Sequence, residues 1–516
     1  MGKTIPDTEH PDVETTPRRK FVFFGALAAA ALVPSVARAQ GRGRQRKVIE
    51  PIDTAPASDP AGAISPNETP AAFAEWDTGG LSRLVRRVTM GITPGELARA
   101  NSLGWNGYLN YHLNYTRIDD SAVESTIAQR YPLMSQPSSA LTTADAGQVF
   151  NQLRESTIYR SAFSPRQLHQ RMVELWSDHF NQDIDKVQTL LVADQRDVIR
   201  KYAMTTFPQL LKASAHSASM MVYLDQTASS SRAPNQNYAR EIMELHTVGV
   251  DGGYTQDDVA ELSRVLTGWT ADKNGAFVFN AGLHDTGNKV VMGKAITGQS
   301  GAAGQQEGEQ MLDFLVTHPS TAKFIATKML KWMVTPSPTD AQIAAISAVY
   351  RATGGDIKSM LRAMLNDAWI NAAPMKLKRP FHVAVSSLRS MNPSVTSVST
   401  INSQLVTLGH QSFAWATPDG YPDKIEYWAG NVVTRWQYGS TFSGLNSSST
   451  IVVDPTPYQT NAQAATDLLD QNFFGGEMSA STRSALIAYG GTGTLSSTKA
   501  REMISLAIGA NAFQWY

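Results

Sequence analysis

The stretch NYAREIMELHTVGVDGGYTQDDVAELSRVLTGWT, residues 237–270, decides the fold class. At 100° per residue Tyr238, Ile242, Leu245 and His246 fall on one arc, so the first half predicts an amphipathic helix. Glycines 249, 252 and 253 then predict a turn, and Thr255 with Asp258 supplies the N-cap pattern of a second helix. The same periodicity recurs on both sides. Ser164-Pro165 opens a helix running to about Phe180 with Leu168, Met172, Leu175, Trp176 and Phe180 as its stripe, and Ser320 to Val334 is striped by Ile325, Met329, Trp332 and Met333. Gln342–Tyr350 and Ile357–Trp369 follow, separated by Gly354-Gly355 and capped by Asp356. Thr93-Pro94-Gly95-Glu96 predicts a capping box with a reciprocal carboxylate. Strand signals are few: Phe277-Val278-Phe279 and Val290-Val291-Met292 flank a loop carrying His284 and Asp285 and are expected to pair. The expectation is a mainly α, multi-helix globular body with a small β-hairpin. It ends in a loop-rich C-terminal part, where Ser, Thr, Gly and Asn become frequent beyond a possible sub-boundary near residue 392.

Upstream of this body the chain predicts an address. Arg18-Arg19 directly precede the apolar run Phe21–Val33, and Ala37-Arg38-Ala39 has the small-x-small form of a cleavage site, so residues 1–39 are expected to be a twin-arginine export signal. The apolar run is shorter than the ~20 residues of a spanning helix. No stable membrane insertion is therefore expected after cleavage, and the destination is periplasmic or extracellular. Residues 40–73, rich in Pro, Ala, Ser and Gly, are expected to be a disordered linker leading to a helical domain over 74–516.

Bulk composition narrows the chemistry. Lys plus Arg and Asp plus Glu both number 45, which leaves no net field to draw the protein to nucleic acid. Cysteine is absent, which removes disulfides, thiolate metal sites and cysteine nucleophiles. There is no Gly-x-Ser-x-Gly elbow, P-loop, dinucleotide fingerprint or His-Glu-x-x-His helix.

Arg240, Glu241, Glu244, Leu245, His246 and Gly249, followed by Gly253-Tyr254-Thr255 and Leu266-Thr267-Gly268-Trp269, resemble the signature of the bacterial "domain of unknown function 1800" family. Leu84-Val85-Arg86-Arg87, Trp176–Phe180, His284-Asp285, His318-Pro319 and Pro418-Asp419-Gly420-Tyr421-Pro422 extend the resemblance from Leu84 to the terminus. It implies an exported bacterial protein, often with a partner of the uncharacterised, sulfatase-like 1501 family. It supplies no catalytic residue to carry over.

The candidate site is therefore read from the residues. His179 and His246 both fall within apolar stripes and should point inward, as core histidines or as site groups, with Glu241 as the natural hydrogen-bond partner. Glu174, Asp178 and Glu244 lie toward polar faces, exposed or paired with Arg171 and Arg240. If the two helices pack, His179, His246 and Glu241 converge, with His284 or Asp285 closing the set. The three histidines are then candidate ligands for a divalent transition metal. Glu241 and His246 are five apart, about 140° off one face of an α-helix, which argues against a ferritin-like centre. A metal-free alternative pairs Glu241 with Asp178 or Asp285 as general acid and base on a glycosidic or ester bond. Trp415, Tyr421 and Trp428, with Phe413 and Trp436, form either a stacking platform for a glycan or aromatic packing under a long loop. Lys376, Lys378 and Arg379 before Pro380 form a basic cluster expected at a solvated helix entry, with anion binding as the alternative. The functional expectation is an exported enzyme acting on an extracytoplasmic polymer, with catalytic His and carboxylate groups and with Arg240 and the aromatic loop binding substrate. The alternative is a non-enzymatic envelope scaffold or chaperone for a sulfatase-like partner.

Overall fold

A computed structural model describes residues 80–516. The export signal and the linker expected over 1–73 lie outside the described residues. Within them the chain is mainly α, with three small two-stranded antiparallel sheets. No helix among the described residues is long and apolar enough to cross a membrane.

Apolar periodicity places the helices. In the Gln167–His179 helix, Leu168, Met172 and Trp176 are completely buried, and the Trp176 indole N–H donates to the Ala203 carbonyl at 2.9 Å. Each such large apolar side chain contributes about 1.5–3 kcal/mol relative to exposure. The Pro319–Met333 helix buries Ile325, Met329, Trp332 and Met333 in the same way. Two apolar clusters result. One draws on residues from Leu84 to Ala373, the other on Met375 to Phe513 with Met90, Ile158 and Ala162, so the changeover falls just before the Pro380–Met391 helix.

Local signals set many ends. Thr255 and Asp258 form a reciprocal capping box on the Gln256–Val265 helix, and Asp356 caps Ile357–Met364. At Thr93 the hydroxyl caps Glu96 N–H as expected. The Glu96 carboxylate, however, turns inward to Tyr108 Oη (2.8 Å) and Arg99 (2.6 Å), with His112 Nε2 3.4 Å away. A buried hydroxyl and a cation outcompete the reciprocal cap.

The expected hairpin is replaced by two. Trp269–Ala271 pairs with Phe277–Phe279, and Lys289–Val291 pairs with Lys294–Ile296. The second closes through Met292 and Gly293, both with positive φ (47° and 77°), as a two-residue turn matched to strand twist requires. Methionine is an unusual residue for that position, and this is why the turn was not legible.

The helix beginning at Gln236 changes character midway. Gln236–Glu241 is α-helical and Ile242–His246 is π-helical, with the Thr247 hydroxyl donating to the Ile242 carbonyl at 2.6 Å. A π turn closes i→i+5, so the α-helical angle between Glu241 and His246 does not apply along it.

Candidate functional site

The Gln167–His179 helix separates two environments. Its apolar face carries His179, whose ring centroid lies 6.0 Å from that of His246. The two imidazoles therefore do meet. His179 Nε2 lies 3.2 Å from the His246 carbonyl oxygen, and Trp176, Phe180, Phe207 and Phe324 surround the pair. His179 Nδ1 and His246 Nε2 have no hydrogen-bond partner among the described residues. Glu241 is not the partner expected; the group acting on both rings, after burial itself, is Lys328. Burial and that cation hold both imidazoles neutral, with His246 lowered to about 3.

Glu241 is half-buried and pushed up to about 6 by burial and by Glu244, with Arg240 opposing. Arg240 itself donates to Gln256 Oε1, and Glu244 accepts from Tyr254 Oη. His284 and Asp285 belong to a separate network. His284 Nδ1 faces the Thr267 carbonyl (2.7 Å) and Nε2 faces Glu307 (3.1 Å), while Asp285 pairs with Arg264 at 2.8 Å. Lys289 completes that network, its ammonium 2.6 Å from Glu307. His284 thus has both nitrogens engaged and does not join His179 and His246. Among the described residues no group of three or more His, Asp or Glu side chains is placed to hold a metal ion.

The opposite face of the Gln167–His179 helix lines a cleft of about 570 Å³. Gln170, Val173, Glu174, Ser177 and Asp178 recur along it at helical spacing, and Asn181 continues the line. Glu174 and Asp178 are therefore not at an open surface, and their direct partners are not Arg171 and Arg240, although the Arg171 charge does act on Glu174. His382 Nε2 lies 2.9 and 2.7 Å from the two Glu174 oxygens, and Arg379 donates to Asp178. Lys376 pairs with Asp423 at 2.8 Å. The basic segment 376–379 is thus buried, against expectation: Arg379 meets Asp178, Lys376 meets Asp423, and the Lys378 ammonium lies 4.0 Å from the Phe513 ring. Arg379 also stacks its guanidinium 4.7 Å from the Trp332 ring.

Burial raises the carboxyls of Glu174 and Asp178. Glu174 is pushed up to about 7, with Arg379 and Arg171 opposing. Asp178 is pushed up to about 6 by burial, with Arg379 opposing and Glu174 reinforcing. Two carboxyls one helical turn apart thus stand in different surroundings, one against a neutral imidazole and one against a guanidinium.

The aromatic loop covers this end. Tyr421 lines the cleft and packs against His410 (4.5 Å), Trp415 (5.0 Å) and Trp428 (5.9 Å). Trp428 is buried behind it, whereas Trp436 lies apart and largely exposed. Asn181 Nδ2 donates to the carbonyls of Trp415 (2.9 Å) and Thr417 (2.8 Å), and Tyr223 Oη to that of Ala416 (2.9 Å). The Asn181 bonds strap the loop to the helix end that carries Asp178, and the Tyr223 bond ties it to the Ala218–Tyr223 helix.

Of the expected site residues, the structure brings Asp178 and Tyr421 to the cleft, sets Trp415 and Trp428 behind Tyr421, and joins His179 to His246 in the core. Glu174, His382, Arg379 and His410 were not among the expected site residues. The i, i+4 carboxyl pair at 174 and 178 was a visible signal; the partners two hundred residues away were not. No curated protein and no solved structure matches the chain. The family described as "Protein of unknown function (DUF1800)" matches residues 83–515. Because that match spans most of the chain, the chain belongs to this family.

Proposed function

We propose that the protein is an exported hydrolase that cleaves an extracytoplasmic polymer, a glycan, using Glu174 and Asp178. The observation that carries this reading is the carboxyl pair, one helical turn apart on the wall of the 570 Å³ cleft, with its proton affinities raised to about 7 and about 6. Residues at i and i+4 have Cβ atoms about 6 Å apart, a separation compatible with two carboxyls flanking one glycosidic bond. Glu174, protonated near neutrality, donates its proton to the leaving oxygen. Asp178, kept anionic by Arg379, attacks the anomeric carbon from the opposite face as the glycosidic C–O bond breaks, and a water deprotonated by Glu174 then hydrolyses the glycosyl ester and frees Asp178. Tyr421, backed by Trp415 and Trp428, provides the stacking wall.

Turnover of a panel of polysaccharides by the purified protein tests this. Glu174→Gln and Asp178→Asn are each expected to lower kcat by 10²-fold or more, and Arg351→Gln, on an exposed helix end, to leave it unchanged. Equal behaviour of all three variants would overturn the reading. A stoichiometric transition metal in protein exported by its own signal would replace the metal-free chemistry with a metal-assisted one.

The competing reading, an envelope scaffold or chaperone for a sulfatase-like partner, has one observation in its favour. Tyr427, Val432, Val433 and Trp436 are large, apolar and 47–62% exposed on adjoining turns. Loss of envelope function on charging this patch, with normal function in Glu174→Gln, would support it.

A further inference from the structure

The far end of the same cleft is basic. Arg160 ends the Ala146–Phe163 helix, Arg166 precedes the Gln167–His179 helix, and Arg200 closes a π-helical turn over Asp194–Arg200; all three line the cleft, as does the exposed Lys201. The facing acids are fewer. Glu124 takes the Arg160 fork at 2.8 and 2.7 Å and lies 4.0 Å from Arg200, and Asp120 accepts from Ser164 Oγ at 3.0 Å behind them. Arg200 otherwise donates to Gln170 Oε1 (2.9 Å), and Arg166 Nε to the Ile118 carbonyl (2.9 Å). Arg196, also at the rim, is paired with Asp197. Positive charge is therefore in excess at this end. Burial together with the neighbouring Arg160 lowers the Arg200 guanidinium to about 9 although Glu124 and Asp120 oppose. Beside the arginines, the rings of Tyr115 and His169 stack at 4.5 Å and 4°, and both line the cleft. The Arg166 guanidinium lies 5.9 Å from the Tyr115 ring.

We propose that Arg160, Arg166 and Arg200 form a subsite for the anionic group of an acidic glycan, a uronate carboxylate or a sulfate ester, whose sugar ring lies against Tyr115. This rests on the reading of the cleft as a glycan site and names the class of glycan. Guanidinium forks match planar or tetrahedral oxyanions, and a cluster of three with one shared carboxylate has donors to spare. Eight residues of nearly continuous helix separate Arg166 from Glu174, about 12 Å along the axis. The subsite thus holds a charged sugar beyond the bond being cut, as in an enzyme acting within a chain.

The test is isothermal titration with four probes: tetragalacturonate, a heparin-derived tetrasaccharide, neutral cellotetraose and a single-stranded oligonucleotide. At about 50 mM salt at least one charged probe is expected to bind about tenfold or more tightly than cellotetraose, and the margin is expected to shrink at about 500 mM. Carboxylate and sulfate sources are separated by which probe prevails. Arg166→Gln is expected to weaken the charged probe about tenfold, and Glu124→Gln to strengthen it severalfold by removing the competing carboxylate. The Glu124 variant, at a half-exposed position, keeps the test valid if Arg166→Gln does not fold. Equal affinity for charged and neutral probes, or indifference to Glu124→Gln at low salt, overturns the proposal. So does tighter binding of a single-stranded oligonucleotide than of either charged sugar. Glu174→Gln separates the two readings. Arginine-dependent binding without cleavage by the wild type removes the hydrolase and leaves the subsite; Glu174-dependent cleavage of neutral chains, unaffected by Arg166→Gln, does the reverse.

Discussion

Gly420 rests directly on the backbone of Asp178: a Cβ at 420 would overlap the Asp178 carbonyl oxygen. Through this contact the loop from Gln411 to Asp423 is keyed to the helix end bearing the Asp178 carboxyl. Gly420 also has φ of 75°, a conformation that costs a residue with Cβ about 1 kcal/mol or more.

The contact makes Gly420→Ala informative. Both the overlap and the backbone strain act there, whereas Gly476, with φ of 85° and nothing within 4 Å of a Cβ, would feel the strain alone. Urea denaturation should find Gly420→Ala less stable than wild type by about 2–3 kcal/mol and Gly476→Ala by about 1 kcal/mol. Turnover should fall in the first variant only, because Asp178 must move.

Glu174 predicts a pH dependence of stability. Its folded pKa, about 7, lies above the ordinary value of 4.5, so the folded state binds this proton more tightly than the unfolded chain. The resulting stability is fully present below pH 4.5 and is lost as pH rises toward and through 7. Glu174→Gln cannot lose that proton. Its stability relative to wild type should therefore improve progressively from pH 4.5 to 7.5, by up to about 3 kcal/mol. A constant difference across parallel urea melts would contradict the burial that raises this carboxyl.

His246 works in the opposite sense. Its folded pKa is lowered to about 3 by burial and Lys328, below the ordinary 6.5, so its contribution is present above 6.5 and is lost as pH falls toward 3. Between these limits one proton should make wild type lose about 1.4 kcal/mol per pH unit. His246→Phe, which removes the titrating ring from an aromatic pocket, should show a correspondingly shallower acid limb in a pH series of denaturation midpoints.

Residue order alone determined the mainly helical fold, the caps at Thr255 and Asp356, and the inward direction of His179 and His246. Those features depend on spacing along 3.6 residues per turn and on side chains bonding to backbone three positions away, and both are local. The pairing of hairpins depended on a Met292-Gly293 turn whose backbone is selected by strand twist, and it was not legible. The polar face of the Gln167–His179 helix was visible as polar, but periodicity cannot distinguish a face on open water from one on a cleft. Tertiary packing made that distinction by burying Arg379 and His382 beside Asp178 and Glu174, at sequence separations of 201 and 208 residues. It also left the two histidines buried among aromatic rings and gathered Arg160, Arg166 and Arg200 from three chain segments. Burial and long-range charge pairing belong to the assembled chain, because desolvation of a carboxyl depends on everything around it and not on its neighbours in sequence.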